Sequence, residues 1–296
     1  MSKRLAKIRR TTKRVFISHS SATRDTALAG CFDKTLRAAK LSVFFDARSL
    51  NPGLDWQREI EHKISRSNLF ILVWSDEAKK AKWVKPEVDL AIKLATEQGK
   101  PKIIPILIEK CSVPGFLSRK QYVPYYRLTL IEALELFQKG LQLGKRFVQS
   151  NLRMLSRLFW LAEVAPENKN DVFLIDPRDG FGQSDIYKHL RKYVFPSLPY
   201  RNPMTNHWAE NDLKEVLRQC LGLFLGKDNL GAIAKGQSFP RQLESAMIKE
   251  SNGSIERMFR LVDSLFDKTA YRWANSHREK RITRADWEAV LRKVAK

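Results

Sequence analysis

The sequence predicts an α/β domain built on a five-stranded parallel sheet, followed by a mainly helical second domain. Three observations predict it. Short apolar runs alternate with helix-period stretches over the first 142 residues. One of those runs, Leu69–Trp74, is apolar throughout, as a strand is when helices cover both faces of its sheet. Beyond Gly140 and Gly144 the apolar residues recur at helical spacing instead. A length of 296 residues allows roughly two domains. The boundaries read as a basic arm over 1–14, a first domain over 15–142 and a second over 150–296.

The first strand is the β-branched and aromatic run Lys13–His19, ending in the hydroxyl residues Ser18, Ser20 and Ser21. A helix follows, with Ala27, Leu28, Cys31, Phe32, Leu36 and Ala39 on one stripe. Val43, Phe44 and Phe45 make a second strand, closed by Asp46, and Asn51-Pro52-Gly53 is a strong turn signal. Trp56, Ile60, Lys63 and Ile64 continue as a helix, Leu69–Trp74 is the third strand, and a helix through Val88, Ile92 and Leu94 leads to a fourth, Ile103–Ile108. A fifth short strand is expected near Tyr122–Tyr126, with a closing helix over 129–142.

In such a sheet the ligand crevice lies beyond the carboxyl ends of the strands. His19 with Ser20 and Ser21, Asp46 with its loop, Ser75, and the start of the helix at Trp83 all fall there. No GxGxxG follows the first strand, so the ordinary dinucleotide fingerprint is missing.

Composition narrows the class. Hydrophobic residues make up 43% and aromatics 10%, enough for packed cores. Cys31, Cys111 and Cys220 lie far apart without a CxxC pair, which disfavours a disulfide framework or zinc ribbon and suits a reducing cytosol. No apolar run approaches the roughly 20 residues of a membrane span, and the basic start leads into no signal-peptide core. The expectation is a cytoplasmic protein with no membrane partner and no metal. Its net charge is +22: +7 in residues 1–14, +5 in 15–135 and +10 in 136–296. A basic arm and a basic second half can seek phosphates, but no zinc-finger, RRM or basic-zipper pattern accompanies them.

Three segments resemble the TIR domain, the Toll/interleukin-1 receptor homology fold, most of all that of prokaryotic TIR proteins. They are Val15-Phe16-Ile17-Ser18-His19-Ser20-Ser21 with Asp25; Phe44-Phe45-Asp46, then Gly53-Leu54-Asp55-Trp56 and Glu59-Ile60, with Ile64 and Ser67; and Leu72-Val73-Trp74-Ser75, then Trp83-Val84-Lys85-Pro86-Glu87, a WxxxE pattern. The resemblance implies a flavodoxin-like sheet. It also implies that Glu87 serves cleavage of the nicotinamide–ribose bond of NAD⁺, which is then substrate rather than cofactor. The chemistry is coherent. Nicotinamide leaves as a neutral ring, and the oxocarbenium-like ribosyl cation is what a carboxylate steadies. Glu87 falls in a first helical turn, where the dipole favours an ionised carboxylate, and Pro86 is tolerated there. Trp83 lies one turn earlier and can face the same crevice. Ser20, Ser21 and Arg24 could bind ribose or pyrophosphate, or simply cap the first helix. Asp46, Arg48 and Ser75 complete the substrate-binding expectation, with Arg48 in a loop that the resemblance ties to assembly and gating.

In the second half, Phe147, Leu152, Leu155, Leu158 and Leu161 make a helical stripe, and Val172–Asp176 reads as a short strand before Pro177, Gly180 and Gly182. Pro196, Pro199 and Pro203 mark a connector. Ser254 is a good N-cap for a helix carrying Ile255, Phe259, Val262, Leu265 and Phe266, and Thr283 with Asp286 forms a capping box. The segment from Ser251 to Thr283 is similar to the helical lid of AAA-type ATPases. The P-loop is absent: Gly222 to Lys227 is one residue short and runs into Asp228.

The expectation is a TIR effector that cleaves NAD⁺ to linear or cyclic ADP-ribose in prokaryotic antiphage defence. It would act as a homo-oligomer, through TIR–TIR contacts, on a nucleic-acid or protein trigger sensed by the basic regions. The alternatives are a non-catalytic TIR scaffold and a nucleic-acid-binding protein with a structural TIR fold.

Overall fold

The computed structural model describes residues 13–45, 55–118, 121–144, 146–166, 209–225, 230, 233–235, 239–276 and 279–294. The arm over 1–12, Asp46, Arg48, the Asn51-Pro52-Gly53 turn, the expected strand at Val172–Asp176 and the proline-marked connector lie outside the described residues. Two compact units emerge. One is formed by the described residues up to Arg127 with Leu136–Phe147; the other by Leu128–Glu135 with those from Val148 onward.

In the first unit, β1 (Arg14–Ser18), α1 (Thr23–Ala38), β2 (Ser42–Phe44), α2 (Trp56–Ser65), β3 (Leu69–Trp74), α3 (Asp76–Lys80), α4 (Val84–Gln98) and β4 (Lys102–Leu107) follow in order. The sheet order is β2-β1-β3-β4, all parallel. β1 therefore connects outward to β2, and the chain then crosses back to place β3 on the other side of β1. That reversal falls between the ends of β1 and β3, the position at which sheets of this kind take their ligands.

Every residue of β3 is buried, as its unbroken apolar run requires. On one face Phe16, Phe70, Leu72 and Trp74 pack with Ile60 and Ile64 of α2 and Val84, Val88 and Ala91 of α4. Phe16 stacks on Phe44 and Phe70, ring centroids 5.3 and 5.5 Å apart. On the other face α1 lays down Leu28, Phe32 and Leu36, with Phe32 edge-on to Phe137 at 4.9 Å. Each such buried side chain contributes about 1.5–3 kcal/mol. Asp55 caps α2 by accepting from the Arg58 amide at 3.3 Å, and Gly99, at φ 71°, ends α4 in the left-handed region that glycine enters without penalty.

The sheet has four strands rather than five. The expected fifth is reduced to one bridge, Ile106 with Val123, before the 3₁₀ turn Tyr125–Arg127. Two prolines explain it. The Pro105 carbonyl accepts from the Val123 amide at 2.8 Å and the Leu107 amide donates to the Val123 carbonyl at 2.9 Å, but Pro105 has no N–H of its own to carry the ladder further back along this edge. Pro124 follows at once, and the Tyr125 amide turns back onto the Val123 carbonyl at 2.9 Å.

The second unit is helical. It contains α6 in part (Leu130–Leu141, after α5, Gly115–Ser118), α8 (Leu152–Val164, after α7, Phe147–Ser150), α9 (Glu210–Leu225), α10 (Phe239–Ser251), α11 (Ile255–Ser276) and α12 (Arg284–Val294). Trp160, Phe159, Phe266 and Trp273 are fully buried, and Trp160 meets Phe266 edge-on at 5.3 Å. Ser254 caps α11 through the Arg257 amide at 3.2 Å, and Thr283 and Asp286 exchange the hydrogen bonds of a capping box at 2.8 and 3.3 Å. Gly222 to Leu225 belong to helix α9, and Gly226 to Asp228 lie outside the described residues. Among the described residues no helix is long and apolar enough to cross a membrane.

Candidate functional site at the ends of β1 and β3

β1 alternates, so Phe16 and Ser18 point to the face that α4 covers, while Val15 and Ile17 point to the other. The Trp74–Ser75 corner and α3 bring the chain back across that face, and α4 starts beside the end of β1. Ser18 Oγ there donates to Glu87 Oε2 at 2.6 Å. One turn earlier, Trp83 Nε1 donates to the His19 carbonyl at 3.2 Å. The four-residue spacing of Trp83 and Glu87 thus fastens the first turn of α4 to two consecutive residues of β1 and its exit. His19 in turn stacks on Phe45, centroids 5.2 Å apart, and its Nδ1 lies 2.6 Å from the Ser20 carbonyl.

Glu87 is half-buried, and burial pushes its carboxyl up to about 7, against the Ser18 hydrogen bond, which pulls it down. The helix end alone favours an ionised group; desolvation outweighs it. Among the described residues no cation pairs with this carboxylate, and its Oε1 takes no hydrogen bond from them. Trp83 is 40% exposed, a large apolar ring beside that carboxylate rather than in the core.

The serines have a different placement. Ser20 Oγ and Ser75 Oγ both donate to Oδ2 of buried Asp25, at 2.6 and 2.5 Å. Ser20 also accepts from the Ala22 amide at 3.1 Å, and Ser75 caps α3 through the Ala78 amide at 2.9 Å. Their hydroxyl protons are used inside the fold, tying the exits of β1 and β3 together. Arg24 reaches the Ile108 carbonyl at the end of β4, 3.2 Å away, and Ser21 is exposed. Asp46 and Arg48 fall outside the described residues.

Two residues that hold the site were not singled out from sequence as site residues, Ser18 and Asp25. Strand alternation carries the signal for Ser18, because it lies two residues beyond the α4-facing Phe16. Nothing local marks Asp25, whose partners are five and fifty residues away. The described residues contain no grouping of His, Cys, Asp or Glu that could hold a metal ion.

A family model described as TIR domain matches residues 15–135. Residues 15–135 form a TIR domain. Among solved structures, the crystal structure of the TIR domain of the Toll-related receptor TRR-2 from Hydra magnipapillata is similar, at 24% identity over 43% of this chain and 96% of that one, with a TM-score of 0.36. No curated protein matches the chain. In this TIR domain the WxxxE pair sits where α4 meets the end of β1, and the TIR match stops short of the helical unit that begins again at Val148.

Proposed function

We propose that the TIR domain cleaves NAD⁺ at the bond between nicotinamide and ribose, with Glu87 as the catalytic residue. The observation that supports it is the state of that carboxylate. Ser18 fixes one oxygen, burial has stripped much of its water, and the other oxygen takes no hydrogen bond from the described residues. As the C1′–N bond breaks, its electron pair leaves with neutral nicotinamide, and the ribosyl carbon becomes cationic. A desolvated carboxylate steadies that charge far better than one in water. Water then adds to C1′ and gives up a proton, which a carboxylate titrating near neutrality accepts. A nucleophile from the substrate itself would give a cyclic product instead.

Trp83 offers its face to a ring of the substrate, and Ser21, Arg24, Asp46 and Arg48 are proposed to contact ribose or pyrophosphate. Ser20 and Ser75 act instead through Asp25, holding the strand exits in place. The wider reading is a prokaryotic antiphage effector, active as an assembly of TIR domains under control of the helical unit.

The experiment is nicotinamide release from NAD⁺ at high protein concentration, with and without nucleic acid, in the full chain and in Glu87→Ala. Release by the former and none by a folded variant supports the enzyme. Release that persists in Glu87→Ala refutes it, and silence in every condition favours a partner-docking TIR scaffold.

A further inference from the structure

The helix α11 buries Met258, Leu261, Val262, Leu265, Phe266, Ala270 and Trp273 against its own unit, and what it leaves outside is not random. Arg257, Arg260, Ser264, Lys268, Tyr271 and Asn275 follow one another in steps of three and four, one stripe about 27 Å long. All are exposed except half-buried Ser264, and Tyr271 is 52% exposed. No Asp or Glu occupies a position on the stripe. Glu256, Asp263 and Asp267 flank it in the sequence of α11, and the two aspartates are held by Arg153 and Arg157 of α8, so their charge is neutralised within the fold.

We propose that this face of α11 docks on the phosphate backbone of double-stranded DNA. Each side chain on it is of a type that bonds phosphate oxygens: Arg and Lys by charge, Ser, Tyr and Asn by hydrogen bonds. An acid-free row of this length suits a polymer carrying a negative charge about every 1.7 Å of its axis. A single-stranded partner would need a run of aromatic rings for successive bases. The stripe has one ring, so a duplex is the better fit. Residues 148–296 carry +7 and residues 128–135 carry −2, so this unit is +5 overall, a charge that draws a polyanion toward it before any contact forms. Contacts to backbone alone carry no sequence preference, so the face reads the presence of duplex rather than its sequence.

The test is fluorescence anisotropy of the full chain with a labelled random duplex of roughly 30 base pairs across a salt series. Arg257→Ala with Lys268→Ala should weaken binding at least roughly tenfold and flatten the log–log salt slope by roughly 1.8. Lys93→Ala with Lys110→Ala, exposed lysines of the TIR unit, removes the same charge and should leave both nearly unchanged. Arg257→Lys with Lys268→Arg, which keeps the charge, should restore binding. No duplex binding at low salt, equal losses in the two alanine pairs, or tighter binding of the corresponding single strand would each overturn the proposal. All of these readouts are independent of NAD⁺ cleavage.

Discussion

Ser18 Oγ lies 2.6 Å from Glu87 Oε2, joining the last residue of β1 to the first turn of α4 across 69 positions of sequence. This bond favours the charged form of a carboxylate that burial otherwise drives toward neutrality. Ser18→Ala should therefore move the Glu87 titration further up, by roughly one pH unit, since a hydrogen bond to a charged group contributes about 1.5–3 kcal/mol. The midpoint of the pH–rate profile for nicotinamide release checks it, and a threonine at 18 should restore the original midpoint.

Glu87 should also cost the protein stability near neutrality. Its folded pKa, about 7, exceeds the unfolded value, so folding favours the protonated form. The contribution is fully present below about pH 4 and is lost as pH rises through 7. Glu87→Gln, which keeps the shape and removes the charge, should stabilise the TIR unit by about 2–3 kcal/mol at pH 8 and by almost nothing at pH 4. Urea melts at the two pH values measure the difference.

The Trp83 side chain makes one hydrogen bond, to the His19 carbonyl, and the residue is 40% exposed. Trp83→Ala should cost only about 1 kcal/mol in a thermal melt. On the proposed function, in which its ring meets a ring of the substrate, it should nonetheless raise the KM for NAD⁺ severalfold. Trp83→Phe should recover part of that loss.

The helical unit has its own test. Asp286 is buried, which pushes its carboxyl up, but hydrogen bonds from Arg272 and Thr283 outweigh this and lower it. Arg272 grips both oxygens at 2.8 and 2.9 Å and also reaches the carbonyls of Glu279 and Arg281. Arg272→Ala should destabilise this unit by about 2–4 kcal/mol at neutral pH. A group with a depressed folded pKa stabilises above its unfolded value and loses that contribution as pH falls, so the gap between the two proteins should narrow below about pH 4 to what the two carbonyl bonds contribute. Hydrogen exchange of α11 and α12 follows it directly.

Much of the TIR unit was legible in the sequence because its signals are local. Leu69–Trp74 could only be a doubly covered strand, and Trp83 to Glu87 spans one helical turn wherever the helix packs. The fifth strand misled because Tyr122, Val123 and Tyr125 have strand-forming side chains, whereas the backbone donor count, set by Pro105 and Pro124, decides whether a ladder can extend. Ser20 and Ser75 read as ligand-facing hydroxyls because each follows a strand. Only the fold reveals that both face Asp25. The raised titration of Glu87 was hidden in the same way: a helix start is visible in sequence, but the depth of burial of its carboxyl is not.

The central claim is that an ionised Glu87 steadies the departing ribosyl group. The most direct measurement is kcat/KM for nicotinamide release against pH, in the full chain and in Glu87→Gln. The account predicts a rise with an apparent pKa of about 7 in the former and loss of release in the folded variant. Undiminished release by Glu87→Gln, or a rate that is flat through neutrality, would contradict it.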